Sequence, residues 1–96
     1  MLVKENCALL VIDVQGKLAQ MMYQKEQLFN NLQILIQGAK ILNLPIIWIE
    51  QYPKGLGPTI PEVANLLSGS LKPVSKITFN ACLTEEFMQK LKEVNR

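Results

Sequence analysis

The chain has 96 residues, 49% of them hydrophobic and 19% charged, with a formal net charge of +2. That length holds one domain, which removes only about 60–65% of its unfolded surface from water, so its core is modest. The composition excludes a disordered tail, and lysines and arginines interspersed with acids leave no electrostatic footprint for nucleic acid.

The N-terminal stretch Met1 to Asn6 carries an acid, and the apolar run after it is too short to span a bilayer. Neither a signal peptide nor a membrane partner is expected, and the protein should stay where it is made. Cys7 and Cys82 fit no metal-ligand spacing, and no histidine is present to complete a zinc site. A reduced, cytoplasmic setting without metal or other cofactor is the simplest expectation.

Cys7 to Ile12 is apolar at every position, the pattern of a strand covered on both faces, so a central strand is predicted there with Asp13 at its end. Leu28, Phe29, Leu32, Leu35, Ile36, Ala39 and Leu42 then share one face of a long amphipathic helix. Asn43-Leu44-Pro45 ends it, because proline disfavours helical geometry in its predecessor. Pro45 to Glu50 reads as a second buried strand, with proline tolerated at its first position. Strand, helix and strand make one right-handed crossover unit.

Thr59-Ile60-Pro61-Glu62 matches a capping box, predicting a short helix to about Leu67 closed by Gly69. A third, weaker strand is predicted around Pro73 to Lys76. Thr84 is placed to cap a last helix whose Phe87, Leu91 and Val94 share a face, with Leu83 and Met88 spaced for a hydrophobic staple. Neither repeat nor linker interrupts residues 1–96. Branched apolar runs alternating with helical segments give the α/β class, a three-layer αβα Rossmann-like parallel sheet.

Open α/β sheets place their ligand crevices at the C-terminal ends of the strands, where Asp13, Glu50 and Lys76 all fall. An acid ending a buried strand is costly to ionise unless a cation lies within a few ångströms, and Lys76 is the candidate partner for Asp13. Each residue also has a structural reading. Asp13 can cap the following helix, Lys76 can be an ordinary surface lysine, and Glu50 can order a loop by accepting backbone hydrogen bonds.

Other motifs fail. Leu10-Val11-Ile12-Asp13 resembles the magnesium-binding strand of nucleotide hydrolases, but no phosphate loop accompanies it. Gly55-Leu56-Gly57 lacks the third glycine of a dinucleotide fingerprint. A phosphoacceptor domain needs several acids near the first strand, where Asp13 stands alone.

Three segments together resemble the isochorismatase-like cysteine hydrolases. Ile12-Asp13-Val14-Gln15 is similar to the family's hydrophobic-Asp-x-Gln strand end, and Lys76-Ile77-Thr78-Phe79-Asn80 to its lysine segment. The run Glu50-Gln51-Tyr52-Pro53-Lys54-Gly55-Leu56-Gly57-Pro58-Thr59-Ile60-Pro61-Glu62 resembles the loop of the isochorismatase-domain-containing subgroup. The resemblance covers essentially the whole chain, read as the N-terminal part of such a domain.

The resemblance implies a cysteine thiolate that attacks a small amide, ester or vinyl-ether-type substrate, with Asp13 as base and Lys76 as electrostatic partner. Gln15, Glu50, Tyr52 and Phe79 are the residues it places around the substrate. It implies no metal, because Glu50-Gln51-Tyr52 stands where nicotinamidases of the family carry an Asp-x-His ligand pair. The family's nucleophile lies on a strand after the lysine and the next helix, beyond Arg96, so this chain alone is expected to be inactive. Cys82 is expected to be a packed thiol at a loop-to-helix junction and Cys7 a core residue.

The resemblance also places the first strand beside a fourth that residues 1–96 lack, leaving an incomplete sheet with an unpaired edge. A separate chain carrying the remaining strands, a longer parent polypeptide, or self-pairing into a homo-oligomer would satisfy that edge. The contrasting expectation is a non-catalytic remnant or interaction module that keeps the fold without the nucleophile.

Overall fold

The computed structural model describes residues 1–96. Three strands, β1 (Leu9–Ile12), β2 (Ile46–Gln51) and β3 (Val74–Lys76), form one parallel sheet in the order β1-β2-β3. The helices are α1 (Gly16–Gln20), α2 (Lys25–Ile41), α3 (Pro53–Leu56), α4 (Pro61–Leu67) and α5 (Glu85–Val94). None is long and apolar enough to cross a membrane.

The alternation of side chains along the strands sorts the core into two layers. Val11 and Trp48 face α2 and α4, where they pack with Phe29, Ile36, Ile60, Val63 and Leu67. Ile47, Ile49 and Val74 face the other way and pack with Phe87 of α5, flanked by Met88, Leu91 and Val94. The result is the three-layer αβα arrangement, with β2 in the middle of the sheet.

The apolar run at Cys7 to Ile12 does not become a central strand. β1 pairs only with β2 and its outer side is free. Leu10 and Ile12, pointing to the α5 side, are 38% and 46% exposed, because α5 covers β2 and β3 and stops short of β1. Cys7 lies half-buried outside both core clusters, its thiol on the Val3 carbonyl at 3.1 Å.

Helix α2 shows the same incompleteness. Phe29, Ile36 and Ala39 are buried on the sheet, whereas Leu28, Leu35 and Leu42 from the same apolar face remain exposed. Leu35 and Leu42 line an apolar groove of about 780 Å³ with Ala8 and Leu9, beside the free edge of β1. The helix closes as the sequence suggests. Asn43 adopts a left-handed conformation (φ 57°), and the Leu44 and Asn43 N–H groups return to the Ala39 and Lys40 carbonyls.

The capping box at Thr59 does not form. α4 starts at Pro61 with no side-chain cap, and the Thr59 hydroxyl is engaged in the core. It accepts from Trp48 Nε1 at 2.8 Å and donates to Glu50 Oε2 at 2.7 Å, while the Thr59 N–H donates to the same carboxylate oxygen at 2.8 Å. A buried indole N–H and a buried carboxylate both lacked partners, and satisfying them outweighs one helix cap. Thr59→Val, nearly isosteric, is expected to lower stability by about 2 kcal/mol. Urea unfolding should show a lower midpoint at unchanged slope, and an unshifted midpoint would show that these bonds contribute nothing net.

At α5, Thr84 is the N-terminal flanking residue but makes no side-chain cap, and Leu83 is exposed, so the predicted staple stays open. Cys82 is exposed on a short turn, where its N–H is capped by Asn80 Oδ1, and it is not the packed thiol expected.

Candidate active site

Parallel strands end side by side, and the pairing of Gln51 with Lys76 and of Ile12 with Ile49 brings residues 13, 51 and 76 to one end of the sheet. Asp13 leaves β1 in a left-handed conformation (φ 57°), which aspartate tolerates better than most residues. Its N–H remains in the ladder, donating to the Ile49 carbonyl at 3.1 Å.

Lys76 lies two strands away. Its long side chain crosses over the end of β2 and is only 2% exposed. The ammonium has three donors and three acceptors: Asp13 Oδ2 at 3.1 Å, the Thr78 carbonyl at 3.2 Å, and Gln51 Oε1. Full satisfaction is what permits a charged amine to be buried here. Asp13 is 36% exposed, yet its other oxygen, Oδ1, is buried and has no hydrogen-bond partner. One oxygen is therefore held by a cation and the other is left without a partner.

A second set of contacts holds the loop after β2 against the segment after β1. The Gln15 side chain accepts from the Gln51 N–H at 2.6 Å and donates to the Gln51 and Gly57 carbonyls at 2.9 and 2.7 Å. Gly16 N–H reaches the Pro58 carbonyl and Ile60 N–H the Val14 carbonyl, both at 3.0 Å. Gly16 and Gly57 both have positive φ and sit in contact; a Cβ on Gly16 would lie 2.2 Å from the Leu56 carbonyl oxygen. Only glycine allows that approach.

Of the residues singled out from sequence, Asp13 and Lys76 come together as an ion pair. Gln15 is buried, with its amide committed to backbone groups. Glu50 is buried on the opposite side of β2 from Lys76, bonded to Thr59. Tyr52 is half exposed in a left-handed conformation (φ 37°), and Phe79 is 97% exposed one residue beyond the Thr78 carbonyl. Gln51 joins the pair through its side-chain oxygen, a role the sequence does not indicate. Its one signal in the sequence is its place at the end of the apolar run before Tyr52; the pairing with Lys76 is visible only in the structure. Beside Asp13, Val14, Leu18, Met22, Leu28 and Leu32 line a small apolar hollow of about 210 Å³.

Comparison with known proteins gives this arrangement a family. The model of the isochorismatase domain matches residues 7–96. The chain belongs to the isochorismatase family. Isochorismatase domain-containing protein 2 of Danio rerio is 39% identical over 90 residues, which is 94% of this chain and 44% of that protein. The MAR1 ribonuclease of Caenorhabditis elegans superposes with a TM-score of 0.82 at 34% identity, covering 95% of this chain and 47% of that one. The YcaC gene product of Escherichia coli, described as an octameric hydrolase of unknown specificity, gives 0.87 at 26% identity, covering 99% and 48%. The chain thus spans less than half the length of these relatives, and its residues 7–96 match part of an isochorismatase domain. Its three-stranded sheet is incomplete relative to the full fold.

Proposed function

We propose that residues 1–96 form the N-terminal part of a cysteine hydrolase in which Asp13 is the general base and Lys76 its electrostatic partner. The observation that carries this reading is the divided environment of the Asp13 carboxylate: Oδ2 bound to Lys76, Oδ1 buried and unpartnered. Buried carboxylate oxygens are ordinarily hydrogen-bonded, so an unpartnered one calls for an explanation, and a catalytic role is one. A buried oxygen with no partner at the C-terminal end of the sheet retains its capacity to accept a proton.

The chemistry follows from that oxygen. A thiol S–H bond breaks, the proton passes to Asp13 Oδ1, and the sulfur attacks the carbonyl carbon of a small amide or ester. Collapse of the tetrahedral adduct breaks the bond to the amine or alcohol, which leaves with the proton from Asp13. Water then hydrolyses the thioester, with Asp13 again accepting a proton. Lys76, bonded to Oδ2, provides the electrostatic partner of the carboxylate. Tyr52 and Phe79 supply exposed aromatic surface for the substrate, while Gln15 and Glu50 act on it through the loop they order.

The thiol is proposed to come from polypeptide outside residues 1–96. Cys7 precedes the opposite end of β1 from Asp13, and Cys82 lies on an exposed turn with no bond to the pair. Residues 1–96 alone are therefore inactive in this proposal. The free edge of β1 and the exposed leucines of α2 are where the remainder of the fold, or a partner chain within an oligomer, would dock. A thiolate nucleophile also suits a reducing compartment, which favours the cytoplasm.

The test is a panel of small amides and esters given to the natural full-length polypeptide, with intact-mass detection after acid quench. Accumulation of an acyl adduct that hydroxylamine removes is the expected result. Hydrolysis with no adduct under any quench would overturn the nucleophilic route, and no hydrolysis at all would favour a non-catalytic interaction module. RNA belongs in the same panel because the C. elegans relative is described as a ribonuclease. The small net charge, with no basic segment, supports the small-molecule reading.

A further inference from the structure

We infer that Gln51 is a positioning residue: clamped by Gln15, it holds the Lys76 ammonium on a single oxygen of Asp13 and keeps the other oxygen open. This rests on the reading of Asp13 as the base and adds the device that sets its orientation.

A lysine beside a carboxylate ordinarily settles wherever its three donors gain most, and a position between both oxygens is one such place. Here the donors have other fixed destinations. Gln51 Oε1 takes one and the Thr78 carbonyl takes another, leaving one for Asp13 Oδ2. An ammonium only donates, so the oxygen of the Gln51 amide must face it.

Gln51 is itself held. Both of its main-chain groups are bound by one side-chain amide, that of Gln15, which also reaches the Gly57 carbonyl. The contacts form a continuous series, from the Gln15 amide through the Gln51 main chain and side chain to Lys76 and Asp13. Asp13 Oδ1 is the buried side-chain atom in it left without a partner. Glu50, the neighbouring acid on β2, faces the other side of the sheet and is bound to Thr59, so it does not compete for Lys76.

The near-isosteric Gln51→Met removes the acceptor while leaving the main-chain bonds to Gln15. On the full-length polypeptide two variants, Gln51→Met and Asp13→Asn, are compared with wild type. The probes are iodoacetamide, to read the reactivity of the site thiol, and the carbon-13 signal of the Asp13 carboxylate. Gln51→Met should slow alkylation by at least about tenfold, in keeping with the ~100-fold that a small misplacement of a reacting group can cost. Its melting temperature should stay near wild type and the Asp13 carboxylate signal should move.

If Asp13→Asn leaves alkylation unchanged, the assignment of Asp13 as base falls. If Asp13→Asn slows it but Gln51→Met neither slows it nor moves the carboxylate signal, the base stands and the positioning role is overturned. Should Gln51→Met not fold, Gln51→Glu serves instead. Its added carboxylate draws Lys76 away from Asp13, and a carboxylate signal still at the wild-type position would equally overturn the inference.

Discussion

If Asp13 is the proposed base, Asp13→Asn is expected to lower turnover of the full-length polypeptide by about 10²–10⁴-fold, the usual contribution of a positioned general base. The substitution suits the site because it changes little else. Asparagine matches aspartate in size and accepts the left-handed backbone at this position (φ 57°) better than almost any other residue. Lys76 keeps Gln51 Oε1 and the Thr78 carbonyl as acceptors, and the amide oxygen that the substitution introduces can stand in for the third. Folding should therefore survive, which a melting curve run beside the kinetics would verify. Turnover within about threefold of wild type, with the fold intact, would remove Asp13 from the chemistry, since a working base contributes far more. Alanine is the poorer probe, since it adds backbone strain to the loss of the carboxylate.

Lys76→Met is expected to have the largest effect on stability. It leaves a carboxylate with one buried oxygen already unpartnered and the second now abandoned. Breaking a buried ion pair from one side costs about 3–5 kcal/mol; because Asp13 is partly exposed and can draw on water, about 3 kcal/mol is the expectation. For a domain of this size that corresponds to a fall in melting temperature of more than about 10 °C. The double variant Asp13→Asn, Lys76→Met should recover much of the loss, since no uncompensated charge remains. Thermal unfolding of the two single variants and the double variant closes the cycle. Additive losses would show that the pair is not coupled and that Lys76 contributes through its other contacts, the Gln51 and Thr78 oxygens and its aliphatic stem.

Both effects depend on a lysine that sequence reasoning could equally place on the surface. Lysine is rarely buried, and nothing within Ser75-Lys76-Ile77 marks this one as different. What buries it is the parallel register: β3 ends level with Gln51, and the side chain can reach Asp13 only by lying across the end of β2. The resemblance to the family named the pair, but only the fold explains why the ammonium is fully satisfied there. Gln51 carries no mark in the sequence, because a glutamine after an apolar strand has no distinctive chemistry until its neighbours are known.

Local misreadings have the same origin. Thr59-Ile60-Pro61-Glu62 has the spacing of a capping box, yet the hydroxyl is drawn to Trp48 and Glu50, residues eleven and nine positions earlier that the strand-to-loop path brings back to it. The run at Cys7 to Ile12 reads as a doubly covered strand because its composition suits one. Within these 96 residues no strand lies beyond β1 to provide the second neighbour.

From sequence alone came the alternation of strands and helices, the stop after α2, the strand ends that carry Asp13 and Lys76, and the family. These are properties of nearest neighbours and short periods: branched apolar runs, a helical repeat of about 3.6 residues, an asparagine and a proline that halt a helix. Tertiary structure alone decided which polar groups found partners. It sent Thr59 to the core rather than to a helix end, gave the Gln15 amide to the Gln51 backbone, buried Lys76, and left one oxygen of Asp13 open. Such choices follow from the high cost of an unpaired polar group away from water, and the competing partners become known only when distant parts of the chain have been brought together.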